Sequence, residues 1–144
     1  MYAEILAAID ARAATDPVFA EHVAERRDAQ IAAALSEGRT KLVPTEIGSG
    51  TILAALGEGG GAFLDALVAI GESNRNVYWT MDLIRQGRLR IDLPATRAGM
   101  QGLAAAVPSL APAVQALLTL GYAPDPIALD DVSNALNARA KGKV

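Results

Sequence analysis

The chain has no cysteine among its 144 residues. That removes disulfide scaffolds, thiolate zinc ribbons, iron–sulfur sites and thiol catalysis. Aromatic residues are scarce, with two Phe, three Tyr and one Trp, whereas a β-sandwich core would want more of them together with Val, Ile and Thr. His22 is the single histidine. No His-Glu-x-x-His pattern is present, and a histidine beside Glu21 and Glu25 on one helix reads as a surface group, so no metal site is expected. Strong charge of one sign is missing too: the formal net charge is -3, which argues against a phosphate-tracking surface over the whole protein. The start, Met1-Tyr2-Ala3-Glu4, lacks the basic region of a secretory signal and reads as mature protein. The longest uncharged run, the 27 residues from Ala98 to Pro124, is long enough to span a bilayer, but Gln101, Pro108, Ser109, Pro112 and Gln115 interrupt it. It reads as two buried helices joined at Val107-Pro108-Ser109, and no membrane span is expected.

What the chain has is alanine. Thirty of its 74 hydrophobic residues are Ala, a composition that suits closely packed helices. The expected fold is all-α, a single helical domain over residues 1–144 with one core, built from seven to nine short helices. The apolar spacing of Tyr2, Ile5, Leu6, Ile9 and Ala13 predicts a helix over about 2–14. Asp16-Pro17 predicts the start of a second, since Asp caps well and Pro at the first helical position has no N–H to leave unpaired. Asp28, Ser73 and Asp130 are read as further caps, and Gly38 as a stop. Four glycines in the five residues from Gly57 to Gly61 mark a hinge candidate. Helices are expected over about 51–56, 61–71 and 74–86, from Pro94, from Ser109 or Pro112, and from Asp130. The helix over 61–71 is apolar on more than one face, which makes it central. Two short extended segments, near 40–47 and 88–92, are expected to touch. Residues 140–144 should form a loose tail.

Acidic and basic residues are unevenly spread, residues 1–72 carrying 11 acidic and five basic side chains and residues 73–144 five and eight. A head-to-tail contact between copies could use that division, and so could chance on a solvated surface. Asp16-Pro17-Val18 and Asp125-Pro126-Ile127 look alike, but helix-start chemistry explains both without an internal repeat.

No constellation for chemistry stands out. Gly48-Ser49-Gly50-Thr51 and the run from Gly57 to Gly61 lack the Lys-Ser/Thr ending of a phosphate loop, and Ile47 and Thr51 replace the glycines of a hydrolase nucleophile elbow. No acid and base pair or activated nucleophile sits at a usable spacing, so no enzyme activity and no cofactor are expected. A helix-turn-helix reader is disfavoured, because the helix after the glycine run carries only Asp65 as a polar side chain for base edges. The most suggestive cluster is Arg75, Tyr78, Trp79, Arg85, Arg88, Arg90 and Arg97. Arg and aromatic side chains together bind single-stranded nucleic acid, and they also dominate protein–protein hot spots. Val77, Met81 and Ile84 are expected to face the core, which leaves Tyr78, Asp82 and Arg85 on an outward stripe and puts Trp79 with Leu83 at the core edge. A protein interface over Tyr78, Trp79, Arg85, Arg88 and Arg90 stands beside the plainer reading of a buried Trp79 among solvated arginines. The alternative from another class is a nucleic-acid-binding regulator using the patch from Arg75 to Arg97.

Several pieces carry a resemblance: Asp16-Pro17 with Asp28-Ala29-Gln30-Ile31-Ala32-Ala33-Ala34-Leu35, then Arg39-Thr40-Lys41-Leu42-Val43-Pro44-Thr45-Glu46-Ile47-Gly48, then Gln86-Gly87-Arg88-Leu89-Arg90-Ile91. The close, Pro124-Asp125-Pro126 with Asp131-Val132 and Ala135-Leu136, belongs with them. In these short pieces, spread over most of the chain, the sequence resembles a loose group of small helical proteins encoded among the structural genes of tailed bacteriophages. The resemblance implies a virion component or assembly factor, made in the bacterial host cytoplasm. It would work through protein surfaces near the tail tip or baseplate or on the capsid, with a larger partner or copies of itself, and there are no catalytic residues to carry over. Val107-Pro108-Ser109-Leu110-Ala111-Pro112 departs from the group, whose members often have a polar turn there. An exposed apolar turn at that point would be the next candidate interface.

Overall fold

The computed structural model describes residues 2–143; Met1, and Val144 of the expected tail, lie outside the described residues. Among the described residues there are nine α-helices and four short strands, so the all-α expectation holds. They fall into two compact units, residues 1–41 with 124–144 and residues 42–123. Where length and composition predict one core, buried apolar side chains form two clusters. The second unit is an insertion in the first, and the chain crosses between them inside strands, at Lys41–Leu42 and Ala123–Pro124. No Pro/Gly-rich linker marks either crossing in the sequence.

The first unit holds α1 (Tyr2–Ala13), α2 (Pro17–Ala24), α3 (Asp28–Ser36) and α9 (Leu129–Ala140). Ile5, Leu6, Ile9, Phe19, Ile31, Val132 and Leu136 meet in its core. Asp16 caps α2 as expected, its carboxylate accepting the Phe19 N–H at 3.1 Å. That bond first, with Arg12 nearby, holds the Asp16 carboxyl below its ordinary value. Asp28 is not a cap. Arg27 takes that position, and the Asp28 carboxylate accepts from Arg26 at 3.1 and 2.9 Å and from the Ser133 hydroxyl at 2.8 Å, tying the start of α3 to α9. Arg139 of α9 reaches back to Asp10 of α1 with two bonds of 3.0 Å. Asp130 lies inside the first turn of α9, where Ala128 is the flanking residue. The loose-tail expectation is corrected at its start: Ala140 is helical, and Gly142, at φ +65°, closes α9 with bonds from its own N–H and that of Lys143 to Arg139 and Ala138.

The second unit contains β2 (Glu46–Ile47), α4 (Ser49–Leu56), α5 (Gly59–Gly71), α6 (Arg75–Arg85), β3 (Leu89–Arg90), α7 (Pro94–Ala106) and α8 (Ala111–Thr119). The two expected extended segments do touch. β2 and β3 are antiparallel, with Glu46 opposite Arg90 and Ile47 opposite Leu89. Strand β1 (Thr40–Leu42) pairs with β4 (Tyr122–Pro124). Ile47, Ile52, Phe63, Leu67, Ile84 and Leu117 are central to the core. The 107–112 turn folds into a 3-10 turn, Pro108–Leu110, that buries Leu110 against this core. Val107 is half-buried there, while Pro108, Ser109 and Pro112 stay exposed, so the turn is apolar at the surface only through its prolines.

The hinge expectation at Gly57–Gly61 also gives way. Only Gly57 has a positive φ, of 61°, and residues 59–61 are already the first turn of α5. Gly60 is buried, and a Cβ on it would stand 3.0 Å from Leu53 Cα. Gly60 is the glycine of the run that lets α5 pack closely on α4. Gly61, one residue on, has nothing within 4 Å of the position a Cβ would take. The expected outcome is opposite signs from adjacent substitutions. Gly61→Ala should stabilise the protein by about 0.5–1 kcal/mol through lower chain entropy when unfolded. Gly60→Ala should destabilise it by about 1–3 kcal/mol through overpacking. Urea unfolding of both checks this, and equal effects at the two positions would contradict it.

Candidate functional site

Helix α6 begins one residue later than expected. Asn74, not Ser73, is its cap, accepting the N–H groups of Asn76 at 3.1 Å and Val77 at 3.3 Å. The phase this sets turns Met81 and Ile84 inward, with Val77 half-buried. Tyr78 and Arg85 face out, as expected, while Asp82 is half-buried and accepts from Gln86 at 2.7 Å. Trp79 is not at the core edge: it is 55% exposed, and Tyr78 is 43% exposed. The two rings meet edge to face at 5.1 Å and 89°. The Arg75 guanidinium lies over both, 4.7 Å from the centre of Tyr78 and 5.6 Å from that of Trp79. Such contacts hold aromatic side chains in one orientation at a wet surface.

Helix α5 supplies the other wall. At Gly71 a Cβ would come within 3.2 Å of Tyr78 Cα, so the glycine lets the two helices close tightly at their shared end. Beside this contact lies an open groove of about 300 Å³ whose buried apolar floor includes Leu67 and Met81. Val68, 42% exposed, lines it, and Arg75, Arg85 and Glu72 bring charge to it. The expectation that α5 is central accounts for Phe63 and Leu67, and its second apolar face is the wall of this groove. The excess apolarity of α5 was the signal for that wall.

The arginine cluster separates into different roles. Arg88 is exposed near the end of α6. Arg90 is bound inward: its Nε and Nη2 donate to Asp92 at 2.7 and 2.6 Å, and Asp92 also accepts the Thr45 N–H at 3.0 Å. Arg97 donates to the carbonyls of Ile91 and Leu118 at 3.1 and 3.0 Å and lies over Tyr122 at 5.0 Å. Of the predicted interface residues, Tyr78, Trp79 and Arg85 gather on α6 and Arg88 lies just beyond it. Arg90 holds the β2–β3 clasp. His22 is half-buried on α2, 3.4 Å from Arg27, which itself pairs with Glu25 and reaches Glu21 at 3.9 Å. Among the described residues no group of three or more His, Asp or Glu side chains is arranged to hold a metal ion, and no helix is long and apolar enough to cross a membrane.

No family model, curated protein or solved structure matches the chain.

The Arg90–Asp92 pair makes its own prediction. Arg90 first, then the Thr45 N–H, hold the Asp92 carboxyl well below its ordinary value of 3.8. A depressed carboxylate stabilises the fold above its unfolded pKa and loses that contribution as pH falls toward its folded value. Asp92→Asn should therefore unfold at lower urea than the wild type near neutral pH. The gap between the two should narrow as pH is taken below about 4. Asp16 and Asp28 are depressed too, but they are common to both proteins and cancel in the difference. A gap that stays constant into acid would contradict the assignment.

Proposed function

We propose that this is a non-enzymatic structural or assembly protein that works by docking a protein surface on the outer face of α5 and α6. The observation that carries the reading is Trp79, more than half exposed, set edge-on to Tyr78 and covered by Arg75 beside an apolar-floored groove. Exposed Trp, Tyr and Arg side chains grouped in this way are the composition of interface hot spots. The resemblance to the small helical proteins of tailed bacteriophages supports placing that role in a virion, at the tail tip, baseplate or capsid. The inward commitment of Arg90 and Arg97 leaves Arg75, Arg85 and Arg88 as the outward cations of the cluster.

The test is whether the protein co-purifies with particles of the phage that encodes it, and whether that depends on this face. Trp79→Ala and Tyr78→Ala should keep the wild-type circular dichroism spectrum and melt. Each should weaken association with the particle by about 2 kcal/mol, or roughly 30-fold. Arg88→Ala should weaken it less. Full retention of all three variants would move the interface elsewhere. Salt-sensitive binding to RNA or DNA, lost with Arg85→Ala and Arg88→Ala, would favour a nucleic-acid regulator instead.

A further inference from the structure

The groove between α5 and α6 has a specific electrostatic character. Its floor is apolar, with Leu67 and Met81 buried. The guanidinium groups of Arg75 and Arg85 border it, with the Glu72 carboxylate beside Arg75 in the lining, and among the described residues neither arginine side chain forms a hydrogen bond or an ion pair. Arg88, close to the C-terminal end of the same helix, is in the same condition. An occupant with an apolar side chain for the floor and carboxylates for the two arginines matches it, two guanidinium groups outnumbering the one carboxylate of Glu72. A carboxylate met there would be bound by charge-assisted bonds beside apolar surface, where they are stronger than in open water.

The chain itself carries such a segment. Leu129 heads α9 and is 48% exposed. Asp130 is exposed and Asp131 half-buried. Both stand in the first turn, and neither carboxylate has a hydrogen-bond or ion-pair partner among the described residues. The first turn of α9 has no side-chain cap from Ala128. An apolar side chain thus stands beside two unpaired carboxylates at the head of a helix.

We propose that the partner of the α5–α6 groove is a second copy of this chain, which seats Leu129 on the groove floor and sets Asp130 and Asp131 against Arg75 and Arg85. This rests on the docking reading above and names its occupant. Each copy has one groove and one α9 terminus, so the contact either closes a reciprocal pair or propagates from copy to copy, and the mass reached distinguishes the two.

The experiment is sedimentation of the full chain over a concentration series, with paired charge reversals. The wild type should show mass above the 14.9 kDa of one chain, rising with protein concentration and falling with salt. Arg75→Glu/Arg85→Glu and Asp130→Lys/Asp131→Lys should each raise the dissociation constant by at least about tenfold. An equimolar mixture of the two reversed proteins should recover association, because each groove then meets a terminus of opposite sign. Asp130→Asn/Asp131→Asn serves as the milder partner if lysines at the head of α9 prevent folding, and it should weaken self-association without the rescue. A wild type that stays monomeric throughout overturns the inference, as does self-association that no charge reversal weakens. If the wild type is monomeric while Trp79→Ala still abolishes particle association, the second copy is the wrong occupant and the docking face stands. If Trp79→Ala has no effect either, both readings fall.

Discussion

The Asp92 carboxylate is the tie on which the larger unit depends. It accepts the Thr45 N–H and both arms of Arg90, while the Ile91 N–H donates to the Thr45 carbonyl at 3.1 Å. These bonds hold β2 to β3, and the three helices α4, α5 and α6 lie between those strands in sequence. The clasp therefore closes a loop of about forty residues whose ends would otherwise be free. The two buried residues of the pairing, Ile47 and Leu89, join the core on which the helices pack. A two-stranded pairing this short is marginal alone in water, so the charged bonds and the burial of Ile47 and Leu89 support one another. Just past β2, a Cβ on Gly48 would stand 2.9 Å from Gly87 Cα. The start of α4 and the turn after α6 are thus pressed together where the clasp ends. Helix α6 is held at this end, α5 is packed on α4 at Gly60, and the two meet at the Gly71–Tyr78 approach, which together shape the groove between them.

How much of this the sequence made legible follows from the range of the forces involved. Local chemistry was readable: Asp16 with Pro17, the stop at Gly38, and the apolar faces that put Ile5, Ile9, Met81 and Ile84 inside. Where two polar residues compete for one cap, the sequence does not choose. Ser73 and Asn74 are both good caps, and Asn74 takes the role because its amide oxygen meets two N–H groups. Asp28 could cap α3 in isolation, but Arg26 and Ser133 offer it stronger partners, and Ser133 is remote in sequence. The residues from Arg88 to Leu93 alternate polar with apolar, and that period of two puts Arg90 and Asp92 on one side of the chain. That spacing was the available signal that Arg90 is a structural residue.

The two cores were not legible, because the division between them is made by long-range closure. Helix α9 returns to α1 and α3 after the whole second unit has been inserted, and Val132, Ala135 and Leu136 complete a cluster begun by Ile5 and Ile9. Charge behaves likewise. The contrast between residues 1–72 and 73–144 disappears once the chain is sorted by unit: the first has ten acidic and eight basic side chains, the second six and five. Any head-to-tail attraction must come from local groups, such as the α6 arginines and the aspartates of α9, and not from oppositely charged halves.

Six aromatic residues are a small supply for 144 positions, and only the two phenylalanines are fully committed to cores, Phe19 to one and Phe63 to the other. Tyr78, Trp79 and Tyr122 stand in the open, the first two under Arg75 and the last under Arg97. A surface selected only for solubility has no use for its one tryptophan, since an exposed ring gains little burial and invites association. Arg97 has a structural reason to cover Tyr122, because it is anchored to two buried-chain carbonyls and the ring packs on its plane. Arg75 has no such anchor. Its guanidinium is placed by the rings alone, so the Tyr78–Trp79–Arg75 group spends large side chains on a surface arrangement to which neither core contributes more than a floor. Its composition is that of an interface hot spot, and this difference from the Arg97–Tyr122 pair is why the α5–α6 face, and not the other exposed aromatic, is the one proposed for docking.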